Sequence, residues 1–269
     1  MSITGNIRQL YNPIQPTVKE SAEHVTYQEF LPDPALQNYI YCYWKLQTLQ
    51  SLHEPFYYRV VADGCIDIFF ELNNPEESYV MGFCKNYTEF LLENTFNYVG
   101  VRFLPTMFPQ LFKIDASELS NRYESLNIVL PGMARFITEC FSVGTGAAEI
   151  KAHFDQYFLK LLAGKDLYND PRLYNAVSII LKNNGLVHIE KDLDTGISPR
   201  QLRRLFQFYV GDSAKTFSKI VRFQNILRDN PSQQNLKAQK LFFDNYYDQA
   251  HFIKEFKTFY GTTPGQAFE

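Results

Sequence analysis

The front of the chain is built from short runs of β-branched and aromatic residues separated by turn residues. Further on, apolar positions return every three or four residues. Tyr39 to Trp44 is a run of β-formers. Tyr57–Val61 and Cys65–Leu72 read as two strands around a tight turn at Asp63-Gly64, and Asn73-Asn74-Pro75 closes the second. Tyr79–Phe83 and Tyr98–Phe103 are expected to be strands as well. Together they predict a compact, barrel-like β-rich domain. From Ala147 to Leu162 the pattern is helical, with Ile150, Phe154, Phe158, Leu161 and Leu162 on one face, and Gly164-Lys165-Asp166 breaks it. Asp170-Pro171 opens another helix, Asp as cap and Pro in the first position. That helix presents Leu173, Val177, Ile180 and Leu181 and stops at Asn183-Asn184-Gly185. The expected organisation is a β-rich domain over residues 1–165, ending in a linker helix, and an all-α domain over residues 166–269.

The tail repeats itself at an offset of 50 residues. Ser198-Pro-Arg-Gln-Leu-Arg-Arg-Leu-Phe206 with Gly211 aligns with Asp248-Gln-Ala-His-Phe-Ile-Lys-Glu-Phe256 with Gly261. Each unit opens on a residue able to accept bonds from the free N–H groups of a first helical turn. Ser198 and Gln201 fit a capping box, with Pro199 at the first helical position. Leu202, Leu205, Phe206 and Tyr209 make one apolar stripe; Phe252, Phe256 and Phe259 make the other. A short helix is expected before each unit, about Ile189 to Asp194 and about Leu236 to Phe243, joined by turns at Thr195-Gly196-Ile197 and Asp244-Asn245-Tyr246-Tyr247. Between the units Ser213 to Asp229 reads as a spacer helix buried through Phe217, Ile220, Val221, Ile226 and Leu227. Short helix, tight turn and longer capped helix form the helix-turn-helix pattern, here present twice, with reading helices about 198–209 and 248–260. The fold class is α+β, multidomain.

Composition supports a folded protein: 269 residues, 45% hydrophobic and only 20% charged, which excludes wholesale disorder. Net charge is -3, but its distribution is uneven. Residues 1–169 carry 12 Lys/Arg against 19 Asp/Glu, a net of -7; residues 170–269 carry 14 against 10, a net of +4. An acidic front on a basic tail suits a chain whose tail alone meets a polyanion, although helical domains also reach such a charge without function. No run approaches a membrane span and Met1 to Pro16 lacks a signal-peptide core, so a cytoplasmic protein without membrane contact is expected. Cys42, Cys65, Cys84 and Cys140 show no CxxC spacing and are expected to be reduced and buried. His24, His53, His153 and His188 show no metal-ligand spacing, and no nucleotide or hydrolase motif is present, so neither a metal, a cofactor nor catalysis is expected.

The tail resembles the DNA-binding domain of the AraC/XylS family of bacterial transcription regulators. The resemblance rests on the Ser198–Phe206 segment, Gly211, Arg222-Phe223, Tyr247 to Phe256 and Gly261-Thr-Thr-Pro264, and covers about residues 170–269. Leu193-Asp194 stands where the family usually has Leu-Ala, and Asn245 where it commonly has Gly. It implies seven helices carrying two DNA-binding motifs. The front looks like the β-rich sensor domains found ahead of such tails, through Leu36 to Trp44, Ala62-Asp-Gly64 and Gly100-Val-Arg-Phe-Leu-Pro105. With the resemblance come the expected partners: double-stranded DNA, a small-molecule effector, a second copy of the chain and RNA polymerase.

Arg200, Gln201, Arg203, Arg204 and Gln207 are the first unit's DNA-binding candidates, because Arg bonds bidentately to the guanine edge. The competing reading is a solvated face with local ion pairs. Gln249, Ala250, His251, Lys254 and Lys257 play the same part in the second unit, though His251 can instead be a packing residue. Lys215, Lys219 and Lys257 are phosphate contacts or simply solvated. In the front domain Trp44, Tyr58, Arg59 and Arg102 can line a ligand pocket, or the aromatics can be plain core. Asp63 and Asp67 can be read as catalytic carboxylates, but Asp63-Gly64 is more economically a turn. The alternative to a regulator is an enzyme or small-molecule-binding protein acting through the β-rich domain.

Overall fold

The computed structural model describes residues 5–16, 24–165, 167, 170–193, 195–229 and 249–268. Strands β1 (Val25–Phe30), β2 (Ile40–Thr48), β7 (Asn97–Phe103), β4 (Ile66–Glu71), β5 (Asn74–Met81) and β8 (Tyr123–Ser125) lie in that spatial order in one antiparallel sheet. Strands β3 (Phe56–Val60) and β6 (Thr88–Leu92) pair separately. The large sheet is open, with β1 and β8 at its edges, so the domain is barrel-like without closing.

Alternation along the strands sorts side chains to two faces. Ile68 pairs across the sheet with Val101, and Val101 with Tyr43; all three are fully buried on the face turned to the helices. Asp67, Phe69 and their neighbours Arg102 and Trp44 occupy the other face. There Phe69 meets Phe90 of β6 at 6.2 Å, and Trp44, Leu46, Tyr58, Leu92 and Phe96 form a second core between the two sheets.

The strands on either side of Asp63-Gly64 form as expected, but they are not a hairpin. β3 pairs with β6, while β4 pairs with β5 and β7. Val61 to Cys65 crosses from the small sheet to the large one. The turn itself is real: Gly64 has φ 70, and the Cys65 N–H donates to Asp63 Oδ1 at 2.9 Å. Turn chemistry dictates a change of direction, whereas pairing depends on which strand presents the complementary buried face.

Helix α1 (Gly5–Leu10) precedes the strands. Between β7 and the linker helix lie α2 (Met107–Phe112), α3 (Leu126–Val129) and α4 (Pro131–Cys140), which periodicity did not announce. Met107 to Leu111 is buried throughout, so it lacks the polar stripe that marks a surface helix. Helix α5 (Ala147–Leu162) has the expected bounds. Its Phe154 and Phe158 sit under the sheet, at 5.0 Å from Tyr43 and 5.7 Å from Phe103. Full burial of each such ring contributes about 2–3 kcal/mol relative to exposure. Helix α6 (Pro171–Lys182) starts as predicted: Asp170 Oδ1 accepts from the Arg172 N–H at 2.9 Å, and Asn184 and Gly185 end it at φ 52 and 76. Cys42, Cys65 and Cys84 are buried, and Cys140 is half-buried rather than enclosed. Burial pushes the Cys84 thiol up to about 12, far from a reactive thiolate at neutral pH.

Candidate nucleic-acid interface

The first repeat unit comprises α7 (Ile189–Asp192) and α8 (Pro199–Val210). Gly196 in the connection has φ 74. Ser198 Oγ accepts from the Gln201 N–H at 3.3 Å, and Gln201 Oε1 accepts from the Ser198 N–H at 3.2 Å, closing the capping box. Leu202 and Phe206 are buried, and Leu205 and Tyr209 half-buried, which is the predicted stripe. Arg200, Gln201, Arg203 and Arg204 are exposed, and Gln207 is half-buried. Gln201, Arg204 and Gln207 line a cleft of about 510 Å³ shared with Asp115, Ser117, Asp170 and Arg172, so this flank of α8 faces an acidic turn of the front domain.

Helix α9 (Ala214–Asp229) is the spacer, and all five predicted apolar positions are buried. Helix α10 (Gln249–Tyr260) carries the second unit, followed by α11 (Pro264–Ala267). Phe252, Phe256 and Phe259 are buried, whereas Gln249, Ala250, His251, Lys254 and Lys257 are exposed. Residues Asp194 and 230–248 lie outside the described residues, so the short helix expected at 236–243, its turn with Asn245 and the Asp248 cap are not characterised. Of the lysines considered for phosphate contact, Lys215 and Lys257 are exposed. Lys219 is paired with Glu255 at 2.5 Å, and Arg222 with the same carboxylate at 2.6 Å. Burial works against that charge, but the hydrogen bonds from Lys219 and Arg222 outweigh it and hold Glu255 below the usual carboxylate range.

Both repeat helices plant their C-terminal ends on the front domain. The last carbonyls of a helix lack intrahelical partners. On α10, Thr258 and Phe259 carbonyls accept from the backbone N–H groups of Tyr87 (3.1 Å) and Ala62 (3.2 Å). At the end of α8 the Ser120 hydroxyl donates to the Gly211 carbonyl, and Lys85 pairs with Asp212 at 2.5 Å. From the spacer, Gln224 Nε2 donates to the Ala62 carbonyl at 2.8 Å while its Oε1 accepts from the Ile14 N–H at 2.7 Å. The repeated glycines are these docking points: Gly211 and Gly261 have φ 109 and 101. A Cβ on Gly211 would lie 2.7 Å from Phe83 Cβ. Gly211→Ala is therefore expected to lower stability by about 1–3 kcal/mol, measured by urea unfolding, from left-handed strain plus overpacking.

On the inner sheet face a cavity of about 180 Å³ opens between the two sheets. Three of the four predicted ligand residues, Trp44, Tyr58 and Arg102, line it. Arg59 does not: it points to the other side of β3, paired with Glu89 at 2.6 Å and 5.5 Å from the Tyr87 ring. Gly100, between Trp44 and Phe69 in the register, makes room for the Trp44 ring, since a Cβ there would lie 2.3 Å from it. Arg102 is 2% exposed and gathers both carboxylates, Asp67 at 3.0 Å and Asp63 at 3.5 Å. Asp67 Oδ2 also accepts from Trp44 Nε1 at 3.0 Å. Burial pushes Asp67 up to about 6 in spite of Arg102. The role of Asp67 was missed because its partner lies across the sheet; its alternation with Phe69 on β4 was the available signal.

No helix of the described residues is long and apolar enough to cross a membrane. Among curated proteins none matches the chain. Two crystal structures of ToxT from Vibrio cholerae align along most of its length. An apo single-residue variant has a TM-score of 0.44 at 10% identity, covering 92% of this chain and 98% of that one. The other has a TM-score of 0.38 at 12% identity, covering 91% and 95%. By sequence, residues 194–269 of this chain match a helix-turn-helix domain family, behind a region, residues 28–125, that matches a domain of unknown function (DUF6597).

Proposed function

We propose that this chain binds specific DNA sites through the outward N-terminal turns of α8 and α10, and that the cavity of its front domain holds a small-molecule effector. The observation carrying the first part is the repeat itself: two helices of the same pattern, each with its apolar stripe turned inward and with Arg200, Arg203 and Arg204 on one and Gln249, His251 and Lys254 on the other exposed. Residues at the N-terminal end of a recognition helix reach base edges, while helix-flanking lysines meet phosphates. Arg200, Arg203 and Arg204 read bases or phosphates in the first unit; Gln249, His251 and Lys254 do so in the second. The enzyme alternative is not favoured, since the two carboxylates that line the cavity, Asp63 and Asp67, are committed to Arg102.

The test is selection of bound duplexes from a random pool. A reproducible motif with two half-sites about one helical turn apart supports two active reading heads; recovery of no motif would sink the reading. On the selected site, Arg204→Ala is expected to weaken binding by about 1–3 kcal/mol and to relax preference at one base pair. Lys257→Ala is expected instead to weaken all sequences alike and to flatten the salt dependence.

A further inference from the structure

We propose that the cavity takes a small, uncharged, mostly aromatic molecule bearing one hydrogen-bond acceptor, seated with that acceptor on Arg102. The inference rests on the reading of the cavity as a ligand site.

The hydrogen-bond inventory at its polar end identifies what is lacking. Arg102 Nε and Nη2 donate to Asp67 at 3.2 and 3.0 Å, whereas the buried Nη1 has no hydrogen-bond partner among the described residues. The carboxylates are supplied with donors. Asp67 takes Trp44 Nε1 and Arg102; Asp63 takes the Cys65 N–H at 2.9 Å and Gln15 Nε2 at 2.8 Å. Arg102 lines the cavity, and its orphaned nitrogen is costly, so an acceptor that reached it from the cavity would be correspondingly favourable.

Charge then selects among acceptors. Asp63 and Asp67 already face one guanidinium, so a ligand carboxylate would bring a third negative charge to a single, almost fully buried positive one. A carbonyl completes Nη1 without that repulsion. A cation would meet the guanidinium itself. The walls set the rest of the molecule. Trp44, Tyr58, Phe69, Phe90 and Tyr98 present aromatic surface, and Leu91 and Tyr123, which also line the cavity, are exposed at its rim. A volume of about 180 Å³ suits a single ring with a short substituent; an apolar cavity of roughly 150 Å³ is known to hold benzene.

Trp44 is the only tryptophan, and its indole N–H sits on Asp67, so one indole N–H resonance reports on the site. The full-length labelled protein is titrated at neutral pH with acetophenone, ethylbenzene and benzoate, without DNA. Acetophenone is expected to shift the indole resonance and to bind roughly tenfold more tightly than either of the others. Equal affinity for acetophenone and ethylbenzene overturns the role of Arg102 while leaving the cavity a ligand site. Tighter binding of benzoate overturns the uncharged class. A resonance unmoved by all three overturns the cavity as a site for such rings. None of these outcomes bears on DNA binding, which is read separately by the duplex selection.

Discussion

Arg102→Leu is expected to destabilise the protein by about 3–5 kcal/mol at pH 8, because removing one partner of a buried ion-pair cluster leaves charge buried without compensation. Asp63 would keep Gln15 and the Cys65 N–H, and Asp67 would keep Trp44, but neither would retain a counter-charge. The loss should shrink at pH 5. Asp67 already titrates near 6 because burial raises it, and losing the guanidinium raises it further. A carboxyl whose folded value exceeds its unfolded value of roughly 3.9 holds its proton more tightly when folded. Its favourable contribution is complete below the unfolded value and is lost as pH rises through the folded one. The variant therefore gains stability relative to the parent as pH falls from 8 to 5. Urea unfolding of both proteins at the two pH values measures this, and an equal deficit at both would show that the carboxylates are not the cause.

Glu255→Ala should have the next largest effect, about 2–4 kcal/mol at neutral pH. The carboxylate is buried between α9 and α10 and holds Arg222 and Lys219, whose side chains are 18% and 35% exposed. Partial exposure of the cations keeps the cost below that of a fully enclosed cluster. Here the sign reverses. Glu255 is held below the usual range, so its stabilisation is present above the unfolded value of roughly 4.3 and disappears as pH falls through the folded one. Unfolding curves of parent and variant are thus expected to converge in acid, and curves that stay parallel would contradict the assignment. Because this carboxylate ties the second reading helix to the spacer, the variant should also lose affinity for the selected DNA site; Glu255→Gln, which keeps a hydrogen-bond acceptor, should lose less.

What the chain encodes locally is legible in its sequence. Asp170-Pro171 starts a helix, Ser198 and Gln201 close a box, and Gly211 and Gly261 end helices, because each acts on backbone within a few residues of itself. The repeat exposed the reading helices, and the exposed basic positions followed from the buried stripe. The helices at 107–112 and 131–140 are not legible in this way: the first is buried nearly all round, so no polar face marks it.

Tertiary structure alone decided three things. It paired β3 with β6 rather than with β4, since strand partners are chosen by complementary buried faces far apart in sequence. It brought Asp63, Asp67 and Arg102 together and sent Arg59 elsewhere, because cross-strand register, not spacing, determines which charges meet. And it set the carbonyl ends of the second reading helix against N–H groups of Ala62 and Tyr87. Sequence determined that there are two similar capped helices; only packing determined that both stand on the front domain by their C-terminal ends, because unsatisfied helix-end groups find their partners wherever the rest of the fold supplies them.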